Sequence, residues 1–222
     1  MSSKKMQMSE SLALGILLAL SGGFMDAYSY MARGHVFANA QTGNILLFGV
    51  TIASGQWFEC IKYLFPIMAF IIGLALSNIF RHLVRTSRLH WRQFIVLTEA
   101  IIIAFTALVP TNMNLLANSL ISFSCGLQVE AFQKIRGNNM ATTMCIGNLK
   151  SATHFITDYC FSKNSTQLVR GLFYLLIILT FTIGAVLGSF FIKLWHLKAI
   201  LISSLILLIC FILMFKNQKV VK

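Results

Sequence analysis

The sequence predicts an all-α membrane protein, a single transmembrane domain over residues 1–222 with six crossing helices and two short re-entrant or broken helices arranged as two inverted repeats. Three observations lead there. The chain of 222 residues is 57% hydrophobic and 11% charged, whereas a soluble domain carries about 25% charged residues. Six apolar segments reach the roughly 20 residues that a helix needs to span a bilayer. One short polar pattern occurs once in each half of the chain.

The six segments are 11–32, 60–81, 93–110, 114–134, 170–193 and 198–215. The first follows Lys4 and Lys5 and so resembles a signal peptide, but its apolar pattern runs on to Met31 and recurs mid-chain, which predicts a retained helix. Segments 42–55 and 143–160 are helical in pattern but short or polar. If these two enter and leave on one side, the cytoplasmic side collects Lys4, Lys5, Arg81, Arg85, Arg88, Arg92, Lys134, Arg136, Lys163, Arg170, Lys216, Lys219 and Lys222. Only Arg33, Lys62, Lys193 and Lys198 then lie outside. Full crossings would instead put the Arg81 to Arg92 cluster outside. The positive-inside rule therefore favours six crossings with both termini cytoplasmic, in the plasma membrane. The net charge of +12 is explained by these juxtamembrane anchors, and no polar region is long enough for a nucleic-acid-binding domain. The odd count of five cysteines, none in CxxC spacing, predicts free, buried thiols.

The repeat is read from paired positions. Gly22, Asp26, Ala27 and Tyr28 precede Gly126, Glu130, Ala131 and Phe132 by 104 residues; Arg33 and Gly34 precede Arg136 and Gly137 by 103; Gly43 and Asn44 precede Gly147 and Asn148 by 104. Halves 11–110 and 114–215 with three crossings each must be inverted relative to one another, a plan known from transporters and some channels.

The stretch GGFMDAYSYMARGHVFANAQTGN at 22–44, with GLQVEAFQKIRG at 126–137 and Thr142, Thr143, Gly147 and Asn148, resembles the YoaK-like family, and the likeness covers nearly the whole chain. The resemblance implies a six-helix bacterial inner-membrane protein and brings no established substrate or reaction. Its pattern falls here on Gly23, Asp26, Asn39, Thr42, Gly43, Asn44, Gly126, Gln128, Thr142 and Thr143. Val129 and Ile146 depart from it, which argues against a strictly symmetric site.

An ionised carboxylate in hydrocarbon costs a few kcal/mol, so Asp26, Glu99 and Glu130 are candidates for coupling ions or contacting a polar substrate. As repeat mates, Asp26 and Glu130 are expected at a shared centre; the structural alternative is that each pairs with backbone or with Arg33 or Arg136. Gly43-Asn44 and Gly147-Asn148 open short helices after non-helical stretches holding Asn39, Gln41, Thr42, Thr142 and Thr143. Irregular backbone at that depth survives only inside protein or along a wet cavity, though such residues also serve as packing points and caps. Lys150, His154 and Asp158 share one helix face, which is first an amphipathic stripe with a snorkelling lysine and alternatively a proton relay.

No HExxH, GxSxG, P-loop or dinucleotide fingerprint occurs, so no enzyme activity, cofactor or metal is expected. His35, His82, His90 and His196 lie singly beside helix ends. The expected function is a small-solute transporter or permease in the lipid bilayer, with a polar solute or ion at the pseudo-symmetric centre and homo-oligomer formation open. The alternatives are a channel-like pore and a non-transporting scaffold that binds a partner protein. Helix N-termini favour anionic or neutral solutes and the carboxylates favour cations.

Overall fold

In a computed structural model that describes residues 10–83 and 91–215, eight α-helices account for most of the chain. They are α1 (Leu12–Ala32), α2 (Gln41–Ala53), α3 (Trp57–Leu83), α4 (Trp91–Thr106), α5 (Asn114–Ala131), α6 (Cys145–Ser162), α7 (Ser165–Trp195) and α8 (Ile200–Leu213). A small antiparallel hairpin, β1 (Lys134–Ile135) and β2 (Asn138–Asn139), interrupts the helical run between α5 and α6, with Lys134 opposite Asn139. The anchors Lys4, Lys5, Arg85, Arg88, Lys216, Lys219 and Lys222, and His90, lie outside the described residues.

Among the described residues, three stretches are long and apolar enough to cross a membrane: Leu12–Ala32, Trp57–Leu83 and Ser165–Leu213, the last holding both α7 and α8. Local chemistry sets their limits. Ser11 caps α1 by accepting from the Leu14 amide, and Asn164 caps α7 by accepting from the Thr166 amide. Helix α6 stops at Lys163, whose left-handed φ of 54° breaks the ladder.

The apolar surface is divided between a packed centre and an outward face. Leu14, Leu18, Met25 and Tyr28 of α1 meet Val96 and Ile103 of α4, Ile121 of α5 and Leu207 of α8 in the main core. The most apolar window of α1 is 61% buried, whereas that of α3 is only 22% buried. Phe65, Ile72, Leu76 and Ile79 of α3 and Leu172, Leu179, Val186 and Phe190 of α7 are exposed, as acyl chains would require.

Two helix crossings hold this arrangement, and they are built alike. On the α1–α7 crossing, a Cβ on Gly23 would strike the Phe181 carbonyl, and one on Gly184 the Leu20 carbonyl. On the α5–α3 crossing, a Cβ on Gly126 would strike the Phe70 carbonyl, and one on Gly73 the Phe123 carbonyl. Absent side chains let the backbones touch, the usual device where hydrophobicity cannot drive helices together. The remaining partners also correspond: α2 lies on α3 and α6 on α7, α1 meets α8 and α5 meets α4, and α4 packs on α8.

The cysteines are all free, but only Cys60, Cys125 and Cys210 are buried. Cys145 is half-buried and Cys160 exposed, against the expectation of uniformly buried thiols.

Candidate functional site

The starts of α2 and α6 converge on one cavity of about 710 Å³. Asp26, Asn39, Gln41 and Thr42 enter from the first half and Thr143, Met144, Cys145 and Ile146 from the second, while Phe70 of α3 and Phe181 and Ser189 of α7 also line it. Phe70 and Phe181 carry two of the four carbonyls that face the crossing glycines, one at each crossing, so the crossings that build the bundle also fix the cavity walls.

Each short helix follows an irregular segment pinned by the asparagine of its Gly-Asn pair. Asn44 accepts from the Phe37 amide at 3.2 Å and donates to the Phe37 carbonyl at 2.5 Å. Asn148 accepts from the Ala141 amide at 3.3 Å and donates to the Ala141 carbonyl at 2.6 Å. Each side chain thus replaces a backbone partner for a residue seven positions earlier, a demand that backbone buried away from water must meet somehow. Neither asparagine caps its helix; Ala40 and Met144 hold the cap positions and make no side-chain cap bond. Gly43 is small because a Cβ would press on the Phe37 ring, whereas nothing stands near Gly147 to explain it.

Asp26 is 9% exposed and accepts from the Asn39 amide at 2.8 Å. Asn39 donates from Nδ2 to the Gly22 carbonyl at 2.8 Å, and its own Oδ1 is buried with no partner among the described residues. Gln41 donates to the Ala38 carbonyl at 2.7 Å and to Ser122 at 3.2 Å. Thr143 accepts from the Cys125 thiol at 3.6 Å.

The other sequence-singled residues are elsewhere. Glu130 does not share this cavity: it lies 3.9 Å from Arg81 in a separate polar cleft of about 340 Å³ with Glu10, Arg92 and Lys134. Gln128 and Thr142 are buried and bonded to each other at 2.7 Å, and neither is among the lining residues of the cavity. Glu99 is buried in α4, with both carboxyl oxygens lacking a partner among the described residues. His154 and Asp158 approach to 3.5 Å on the exposed side of α6, with side chains 67% and 43% exposed, and Lys150 is exposed beside them, as an amphipathic stripe requires.

Arg33 is not exposed as a surface anchor and pairs with no acid among the described residues. It is fully buried, donating to the Thr106 and Val109 carbonyls, both at 2.7 Å, to the Tyr28 hydroxyl at 2.7 and 3.0 Å, and to Asn114 Oδ1 at 3.3 Å. Its partners are neutral acceptors: the Thr106 carbonyl ends α4, where the helix dipole is negative, and the Val109 carbonyl lies in the turn that follows. Tyr28, five residues earlier, was the only local sign of this role.

The sequence pattern of a family described as a protein of unknown function, DUF1275, matches residues 14–213. The UPF0700 transmembrane protein YoaK of Bacillus subtilis (strain 168) is 27% identical over 181 residues, covering 77% of this chain and 79% of its own length. No solved structure matches.

Proposed function

We propose that this chain, which belongs to the DUF1275 family of membrane proteins, is a small-solute transporter or permease of the bacterial inner membrane whose site is the cavity at the starts of α2 and α6. The observation that carries the proposal is that convergence: at the starts of two short helices, one from each half, Asn39, Gln41, Thr42 and Thr143 line one cavity together with Asp26 of α1. A scaffold would have little use for a buried carboxylate held beside irregular backbone at that depth.

Six crossings in two inverted repeats, with both termini cytoplasmic, belong to the same proposal. Supporting it are the matched glycine crossings, the matched partners of α2 and α6, and the two asparagine clasps 104 residues apart. Broken helices meeting between inverted repeats are a recurrent transporter device.

A thiol experiment tests the site. In a variant keeping Cys145 alone, a small polar methanethiosulfonate should modify that cysteine in native membranes, and Thr42→Cys in a cysteine-free background should react likewise. A Cys160-only variant is the reactive control. Inert Cys145 and Thr42→Cys with a reactive Cys160 would replace the permease by a dry scaffold. Reporter fusions after Arg88 and Lys222 should read cytoplasmic and one at Thr111 external; the reverse at Arg88 and Thr111 would remove the inverted arrangement.

A further inference from the structure

The chemistry of the cavity narrows its occupant, given the permease proposed above. Asp26 is the only Asp, Glu, Lys or Arg among its lining residues. One amide hydrogen of Asn39 is held by the Gly22 carbonyl, which orients the amide and leaves Oδ1 as an unpartnered acceptor. A buried acceptor without a partner is costly, so a donor from a ligand would be strongly favoured there. The Gln41 amide hydrogens are already engaged with Ala38 and Ser122. The polar end of the cavity thus presents one charged group, a carboxylate, with the Asn39 amide oxygen as a further acceptor, beside the Thr42 and Thr143 hydroxyls, which can accept or donate.

The rest is apolar and aromatic. Phe37, Phe70, Phe181 and Tyr30 line it, with Tyr30 stacked on Phe37 at 5.0 Å between centroids. Its rim includes Met31, Met144 and Ile146, which are 42%, 47% and 77% exposed, and Ile45 on the adjoining face of α2 is 58% exposed. Alongside the water access that a permease needs, this apolar rim gives the cavity a second mouth toward acyl chains.

We infer that the cavity binds an amphipathic amine, an apolar or aryl body carrying a protonated primary or secondary amine, that reaches it sideways from the bilayer. The ammonium donates to Asp26 and to Asn39 Oδ1, and the body lies between Phe70 and Phe181, whose rings also suit a nearby cation.

The test uses the full chain in phosphatidylcholine nanodiscs, with empty nanodiscs for background and radiolabelled 4-phenylbutylamine, 4-phenylbutanol, 4-phenylbutyrate and methylamine as probes. The phenylbutylamine should bind saturably and at least about tenfold more tightly than the other three. Asn39→Ala and Asp26→Asn should each weaken it by about tenfold or more, and Phe181→Ala should weaken amine and alcohol alike. Equal affinity for amine and alcohol, preference for the carboxylate, or no saturable binding would each overturn the inference. The unmodified protein decides on this ligand series alone should Asp26→Asn fail to fold. Disulfide-linked dimers formed through Ile146→Cys in native membranes would also overturn it, because a second copy would then cover the rim. Saturable amine binding without flux into vesicles supports the assigned ligand and counts only against the permease. Flux of a hydrophilic solute without amine binding does the reverse.

Discussion

The two irregular segments that precede α2 and α6 perform one task with unequal means. The first, 33–40, is tied down at nearly every residue: Arg33 is locked onto the end of α4, Asn118 donates to the Arg33 carbonyl at 2.8 Å, the Ala38 amide donates to Ser29 at 3.0 Å, and the Asn39 amide donates to Asp26. The second, 133–144, contains an exposed Arg136 and a two-rung hairpin. Its outside ties include the Arg136 amide to the Glu10 carbonyl at 2.8 Å, Tyr174 to the Asn139 carbonyl at 2.9 Å, Gln128 to Thr142, the Cys125 thiol to Thr143 and the Asn148 clasp on Ala141, but no buried charged side chain among the described residues anchors it. A pseudo-symmetric pair can therefore have one fixed wall and one adjustable wall. In a transporter the adjustable wall is where access would change.

The largest effect that this contrast predicts is at its arginines. Arg33→Ala strips a buried cation from several acceptors and should cost at least about 3 kcal/mol, seen as lost membrane yield or a steep fall in detergent melting temperature. Arg136→Ala loses only a surface contact with the Phe173 ring and should cost no more than about 1 kcal/mol. Equal losses would break the fixed-versus-adjustable distinction.

Next come the glycine crossings, which should behave alike where the loops do not. Gly184→Ala and Gly73→Ala each force a methyl group onto a facing carbonyl and should each cost about 1–3 kcal/mol, measured by melting in detergent. A crossing that tolerates its alanine while the other does not would remove the structural equivalence of the two halves. The asparagine clasps sharpen the same point. Asn44→Ala and Asn148→Ala orphan the Phe37 and Ala141 backbone groups at a cost of about 1–3 kcal/mol each, and Asn44 should lose more because it also donates to Gln41.

The helices were legible because their apolar lengths are set by the membrane, and the expected segments differ from the observed helices mainly at ends. Helix α7 begins at Ser165 rather than 170 because Asn164 caps a polar first turn, and α4 ends at Thr106 rather than 110 because Arg33 takes carbonyls there. Of the residues singled out in the sequence, Asp26, Asn39, Gln41, Thr42 and Thr143 line the cavity, whereas Gly43, Asn44, Gly147 and Asn148 are not among its lining residues. Phe70 and Phe181 were not legible, because contacts between distant helices leave no local pattern. The pairing of Asp26 with Glu130 relied on a register of 104, but the two glycine crossings match when Gly23 is aligned with Gly126 and Leu20 with Phe123, a register of 103. In that register the mate of Asp26 is Val129, so the second half has no carboxylate to bring to the cavity.

The smallest predicted effect follows from that one-residue shift. Glu130 faces Arg81 across 3.9 Å, and the Arg81 side chain is 53% exposed, so the pair is worth no more than about 1 kcal/mol. Glu130→Gln keeps the shape of the side chain and removes its charge; it should leave melting within about 1 kcal/mol of the parent and leave the affinity of the central cavity unchanged. Asp26→Asn removes a charge from a buried position inside the cavity, and its effect should appear in ligand affinity before it appears in stability. Measuring both variants by the same melt and the same amine-binding titration separates two accounts of the repeat. If Glu130→Gln impaired binding as much as Asp26→Asn does, the acids would act as a symmetric pair and the 103 register would be the wrong guide to function. If only Asp26→Asn does so, the two halves share a frame of glycines and asparagines, and the first half alone supplies the charge.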